Sequence, residues 1–197
     1  MPISLSGQLI LASASPRRRE LLSSVGLNFK TIPAHVSEDY IKGESPNQHV
    51  RRLSRDKAIS IAGKYPDAWV LGADTIVVID NLVLGKPKNK AQAREMLGKL
   101  SGRTHKVYTG FTVIRLSAKA RKTKVIQSAV QFKIINKEEL KWYTGCKEPY
   151  DKAGGYAVQG KGAYFIQSIR GSYTNVIGLP LCEMLEELKK LGAIHFR

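Results

Sequence analysis

From Ala68 to Ile79 the chain reads AWVLGADTIVVI, and a single charged residue, Asp74, interrupts it. A run this apolar and this rich in Val and Ile reads as a long strand region, continued as LVLGKP after a turn at Asp80-Asn81. A carboxylate inside such a run has to be paired, hydrogen-bonded or metal-bound, because burying it bare is costly. Two readings of Asp74 stand at this point. It is a turn aspartate bonded to local backbone after Gly72, or it is a metal ligand or general base in a cleft.

Around this run, strand and helix patterns alternate. QLILAS reads as a buried strand leading into a helix that opens at ASPRRRELL, and FKTIPA as the strand after it. Ser45 is the expected N-cap of a helix reaching about Ala62, and Asn89 that of the helix NKAQAREMLGKL. HKVYTGFTVIRL and TKVIQSAVQFKII read as long strands forming a hairpin across SAKARK. Asn136 caps a short helix that stops at Gly145; AYFIQSI reads as a strand and LCEMLEELKKLG as a closing amphipathic helix. The pattern is α/β with a substantial antiparallel component, not a clean βαβ repeat.

Several residues break their local pattern. Ser15 is the expected N-cap and Pro16 the first position of the first helix, with Gly26 as its stop. Arg17, Arg18 and Arg19 then stand where the helix dipole is already positive, each costing on the order of 0.3–1 kcal/mol. They need solvent or an anion. Lys57 shares a helical arc with Val50, Leu53 and Ile61, so it either snorkels from an apolar face or serves as a phosphate ligand. Lys86 is confined between Gly85 and Pro87, as in an ordinary surface turn or a phosphate contact. DKAGGYAVQGKGAYF is glycine-rich around two strand-like fragments; its amides make tight turns or an anion nest. Glu38, in HVSEDY, by itself reads as a solvated loop carboxylate; paired in space with Asp74 it could hold a divalent cation such as Mg²⁺. No Walker A loop is present, and the four histidines lack metal-ligand spacing.

With 197 residues the chain can bury a real core, as one domain or two closely packed lobes. No apolar run approaches the ~20 residues that cross a bilayer, and MPISLSGQLILAS does not read as a signal peptide. Cys146 and Cys182 make neither a disulfide framework nor a metal site; they read as packing residues of a cytoplasmic protein. The net charge of +16 attracts polyanions, but the lysines are dispersed rather than gathered into a nucleic-acid-binding tail.

Taken together, LASASPRRRELL, GADTIVV followed by LGKP, AREMLGKLSGRTHKVYTG and DKAGGYAVQGKGAYFIQSIRGSYTNVIGLPL resemble the Maf family of nucleoside triphosphate pyrophosphatases. The segments are in family order from about Leu9 to Leu191. The resemblance implies one Maf-like domain over residues 1–197. Its fold is an elongated, two-lobed α/β molecule, a twisted mixed sheet with flanking helices and a central cleft, similar to inosine triphosphate pyrophosphatases. It implies hydrolysis of a nucleoside triphosphate to the monophosphate and pyrophosphate with a divalent cation, Mg²⁺ or Mn²⁺. Matched by position, Asp74 falls on the family's proton acceptor and Glu38 on a carboxylate linked to metal or catalysis. Ser13, Arg17, Arg18, Lys57 and Lys86 fall on phosphate-binding positions. Arg17, Thr75 and Gln159 fall where the family's branches differ in substrate choice.

GGYAVQG and GSYTNVIGLPL look like the branch that hydrolyses dTTP and UTP; in the methylated-GTP branch glutamate typically stands at the position of Gln159. A glutamate accepts from the N1 and N2 hydrogens of guanine, whereas a glutamine can donate to a pyrimidine carbonyl and accept from N3–H. The alternatives are the methylated-GTP activity, a nucleic-acid-binding protein and a regulator of septum formation, the role behind the family's name. No membrane partner is expected, the recognition signatures of nucleic-acid binders are missing, and the sequence leaves a homodimer open.

Overall fold

A computed structural model describes residues 3–196. Its elements are β1 (Ile3–Leu5), β2 (Leu9–Leu11), α1 (Pro16–Ser24), β3 (Lys30–Thr31), α2 (Pro46–Ala62), β4 (Trp69–Ile79), β5 (Leu82–Leu84), α3 (Lys90–Leu100), β6 (Thr104–Arg115), β7 (Ala120–Phe132), α4 (Lys137–Thr144), β8 (Ile166–Arg170), α5 (Tyr173–Ile177), α6 (Leu181–Lys190) and β9 (Ile194–Phe196). The main sheet has the strand order β3-β2-β4-β6-β7-β8, with β5 on β4, and β1 pairs separately with β9. β2 runs parallel to β3 and β4, whereas β5 and β8 pair antiparallel with β4 and β7, so the sheet is mixed. This is the α/β class that the pattern predicted, with the mixed sheet and flanking helices that the family resemblance implied.

Local chemistry accounts for most boundaries. Ser45 and Gln48 close a capping box on α2, Asn136 and Glu139 close one on α4, and the Asn89 side chain caps α3. Asp80 and Asn81 both take positive φ, the requirement of a two-residue hairpin turn, and join β4 to β5.

The chain forms two compact units. The first holds the segment ending at Asp74, Thr109–Ile126 and the segment from Gly178. Ala58, Ile61 and Ala62 of α2 pack there with Ile10, Val70 and Ile114. A Cβ on Gly72 would lie 2.3 Å from the Ser54 carbonyl oxygen and 2.7 Å from the Ala58 nitrogen; one on Gly110 would lie 2.2 Å from the Val50 carbonyl oxygen. Only glycine lets the α2 backbone settle this closely on β4 and β6. A Gly72→Ala variant is expected to lose about 3 kcal/mol of stability, since the methyl meets backbone that no rotamer change can move. Denaturant unfolding measures this, and an unchanged midpoint would mean that α2 does not rest on the strand.

The second unit holds Thr75–Tyr108 and Gln127–Ile177. Its core gathers Val77, Met96, Leu97, Phe132, Tyr143, Tyr156 and Phe165. His105 is 1% exposed, with Nε2 2.7 Å from the Tyr156 hydroxyl and its ring edge-on to Phe132. Burial pulls the His105 pKa down from 6.5 to about 4. The unfolded chain therefore binds this proton more readily between those values, and stability falls as pH drops through that window. About 2 kcal/mol should be lost between pH 7 and pH 5 by this group. Denaturation midpoints across that range should show the slope, and His105→Phe should flatten it.

Some sequence expectations are corrected here. FKTIPA contributes only Lys30–Thr31 to the sheet; Pro33 lacks the amide needed to continue the ladder. Between Asp151 and Phe165, Ala153–Gly155 and Lys161–Phe165 are 3₁₀ turns and residues 156–160 join them without strand pairing, and the strand expected from Ala163 begins only at Ile166. Cys146 packs half-buried on the second unit's core, but Cys182 is exposed and is not a packing residue; both are free thiols.

Candidate functional site

In the first unit, Lys57 joins the two acidic candidates. Gly72 lets α2 lie on β4, and Asp74 projects two residues later from the same face of the strand. The Lys57 Nζ lies 2.8 Å from Asp74 Oδ1 and 2.6 Å from Glu38 Oε1. Lys57 and Asp74 are each 7% exposed, whereas 59% of the Glu38 side chain meets solvent. The ammonium on the apolar arc of α2 is thus a buried charge between two carboxylates, which answers why the helix tolerates it. Asp74 is an interior strand residue, so the turn reading does not hold.

The loop bearing Glu38 is tied to α2. Arg52 donates through Nε to Glu44 Oε1 at 2.7 Å, and through Nη2 to Glu44 Oε2 at 2.9 Å and the Asp39 carbonyl at 3.0 Å. The Arg52 hydrogen bonds draw the Glu44 pKa down to about 2, so this clamp stays ionised well into acid. Neither residue stood out in the sequence, because a salt bridge eight positions apart across a loop and helix leaves no periodic trace.

The arginine run divides by environment. Arg18 is 8% exposed; its Nε donates to the Gly178 carbonyl at 2.8 Å, and its Nη1 to Ser13 Oγ and the Ala73 carbonyl, both at 2.9 Å. Burial lowers the pKa of the guanidinium, against which the charges of Asp74 and Glu38 pull it back up. Arg17 is half-buried and Arg19 is exposed. Ser15 begins α1 with Pro16 at the first helical position, but its side chain makes no capping bond. Ser13 Oγ accepts from Arg18 and from the Ser15 amide at 3.3 Å, leaving its single hydroxyl hydrogen to donate elsewhere.

Thr75, Lys86 and Gln159 belong to the second unit. Thr75 is half-buried, and Lys86 and Gln159 are exposed. The Gly85 carbonyl before Lys86 accepts from the Gly154 amide at 3.0 Å, so the Lys86 turn rests on the glycine-rich segment leading to Gln159. The sequence offers that segment as tight turns or an anion nest. Its Lys161 and Gly162 amides instead point at the chain's own Glu148, a residue the sequence reading did not single out. Asn175, from the SYTNVIG motif, is buried and donates to the Val107 carbonyl and Ser128 Oγ, which gives that motif a structural role.

In the first unit, then, two carboxylates share one lysine, and the buried Arg18 lies near enough to feel the charge of both. Residues 8–191 match the family model described as Maf-like protein, and the chain belongs to that family. It is 57% identical over 192 residues to a dTTP/UTP pyrophosphatase of Syntrophus aciditrophicus (strain SB), covering 98% of this chain and 94% of the relative. It is 50% identical to the dTTP/UTP pyrophosphatase of Geotalea uraniireducens (strain Rf4), covering 95% and 96%. Among solved structures, a HAM1 protein from Coxiella burnetii aligns with a TM-score of 0.44 at 16% identity, over 64% of this chain and 73% of that one. The family read from the motifs is therefore the family found by comparison. No helix among the described residues is long and apolar enough to cross a membrane.

Proposed function

We propose that this protein hydrolyses nucleoside triphosphates, dTTP and UTP foremost, to the monophosphate and pyrophosphate. The observation that carries the chemistry is Lys57 holding Asp74 and Glu38 on one ammonium. The choice of dTTP and UTP rests on the relatives' activity and on glutamine at position 159. In the reaction, water attacks the α-phosphorus, the bond from that phosphorus to the bridging oxygen breaks, and pyrophosphate leaves.

Asp74 Oδ2, opposite the oxygen engaged by Lys57, takes the proton of the attacking water. Lys57 fixes that carboxylate and keeps Glu38 beside it. Arg17, Lys86 and the Ser13 hydroxyl donate to phosphate oxygens, and Gln159 pairs with the pyrimidine edge. Asp74 and Glu38 are also the residues that would hold a divalent cation. Two hard carboxylates suit Mg²⁺, which keeps waters and substrate phosphates as its remaining ligands. No cluster of three His, Cys, Asp or Glu occurs among the described residues, so substrate oxygens would have to complete the set. Bound there, the cation would neutralise phosphate charge as it develops. We place this activity in the cytoplasm, and a septation effect, if it depends on Asp74, would be a consequence of it.

The test is pyrophosphate release from dTTP, UTP, CTP, GTP and methylated GTP, with and without Mg²⁺. The expected result is cation-dependent release from dTTP and UTP at least tenfold faster than from the others. A preference for methylated GTP would overturn the base assignment, and release of inorganic phosphate alone would overturn the reaction.

A further inference from the structure

We infer that Glu148 is the positioning residue for the base-reading end of the site, an inference that rests on Gln159 as the base contact. Glu148 opens the 3₁₀ turn Glu148–Asp151, while Gln159 lies eleven positions later on a segment without strand pairing. The Glu148 carboxylate reaches across to that segment. Its Oε2 accepts from the Lys161 amide at 3.0 Å, and its Oε1 accepts from the Gly162 amide at 2.9 Å and from the Tyr143 hydroxyl at 3.0 Å.

Gly160 explains why the segment turns here. Its φ is +100°, and a Cβ would stand 2.7 Å from Glu148 Oε2, so the carboxylate occupies the space a side chain would fill. Two successive amides converging on one anion make the nest that a phosphate would otherwise attract. Here the chain supplies its own anion, which leaves this turn a structural clamp rather than a phosphate site. Tyr143 is fully buried and holds the carboxylate from the core side, so the clamp is anchored in the second unit's core.

The backbone leaving Gln159 is therefore fixed by one carboxylate. With Gly160 held against Glu148 and the next two amides bonded to it, the Cα of Gln159 has little freedom to drift. Recognition of a pyrimidine edge by a glutamine needs its amide placed to within a few tenths of an ångström, because mismatched hydrogen bonds are lost rather than stretched. Glu148 acts through Gln159 and does not touch the reacting atoms.

A double-mutant cycle tests this, with kinetics on dTTP, UTP and CTP and melting followed separately. Glu148→Gln puts an NH₂ group against amide donors. It should raise KM for dTTP and UTP about tenfold, leave kcat within about threefold, and shrink the preference over CTP. Tyr143→Phe, which removes one of the three bonds, should shift KM in the same direction by about threefold. In a Gln159→Ala background, Glu148→Gln should add no further loss of selectivity. Full additivity of the two changes, or unchanged KM and selectivity in both folded single variants at positions 148 and 143, would overturn the inference. If Gln159→Ala itself retains the preference for dTTP and UTP over CTP, the reading of Gln159 fails instead. Should Glu148→Gln not fold, Tyr143→Phe in the Gln159→Ala background decides by the same criterion.

Discussion

An Asp74→Asn variant is expected to release pyrophosphate from dTTP about a thousandfold more slowly than the wild type while remaining folded. The substitution is nearly isosteric, and the amide oxygen can still accept from Lys57, now 2.8 Å from Asp74 Oδ1. Lys57 also keeps Glu38 at 2.6 Å, so the buried ammonium is not abandoned. The expected stability loss is therefore about 1–2 kcal/mol rather than the 3–5 kcal/mol of a broken buried pair. What the amide cannot do is take a proton from water or offer a charged oxygen to a cation. Losing a positioned general base costs about 10²–10⁴ in rate, and a thousandfold is about 4 kcal/mol of barrier. Product assays and thermal melting on the same preparation separate the two effects. A folded variant within tenfold of wild-type activity would remove Asp74 as proton acceptor.

The same residue shows where the sequence was legible. Asp74 was visible because one charge interrupts an apolar run, and Lys57 because it falls on an apolar helical arc; their pairing was not, since it depends on Gly72 bringing α2 onto β4. Glu38 looked like any solvated carboxylate, and without the family resemblance nothing local marked it. Helix caps and the Asp80-Asn81 turn were readable because their chemistry is complete within four residues. Ala163–Phe165 looked like strand by composition, but Glu148, more than a dozen positions earlier, draws the adjoining amides out of extended geometry. The pairing of β1 with β9 joins residues nearly two hundred positions apart, and two three-residue strands carry no pattern long enough to reveal it. The three arginines are identical in sequence. Only tertiary contacts distinguish the buried Arg18 from the exposed Arg19.

That distinction yields the second large effect. Arg18→Lys keeps the charge but is expected to destabilise the protein by about 3 kcal/mol. The guanidinium spans three acceptors from one rigid plane: the Gly178 carbonyl, Ser13 Oγ and the Ala73 carbonyl. A lysine carries a single compact ammonium on a stem of different reach and cannot reproduce that fork. Each buried acceptor left without a donor costs about 1–3 kcal/mol. For a chain of this size the melting temperature should fall by roughly 6–12 °C. Ala73 adjoins Asp74 and Ser13 is a phosphate donor in the proposed reaction, so kcat should also drop, at least tenfold, at temperatures where the variant is folded. Arg19→Ala provides the contrast. Arg19 is exposed and sits at the unfavourable end of the α1 dipole, so its removal should leave stability unchanged or raise it by about 0.5 kcal/mol. If Arg18→Lys melts with the wild type while KM for dTTP rises, the guanidinium serves substrate phosphates rather than the joint between α1, β4 and the Gly178 turn. A lower melting temperature for Arg18→Lys alone would establish that one arginine of the run builds the site floor.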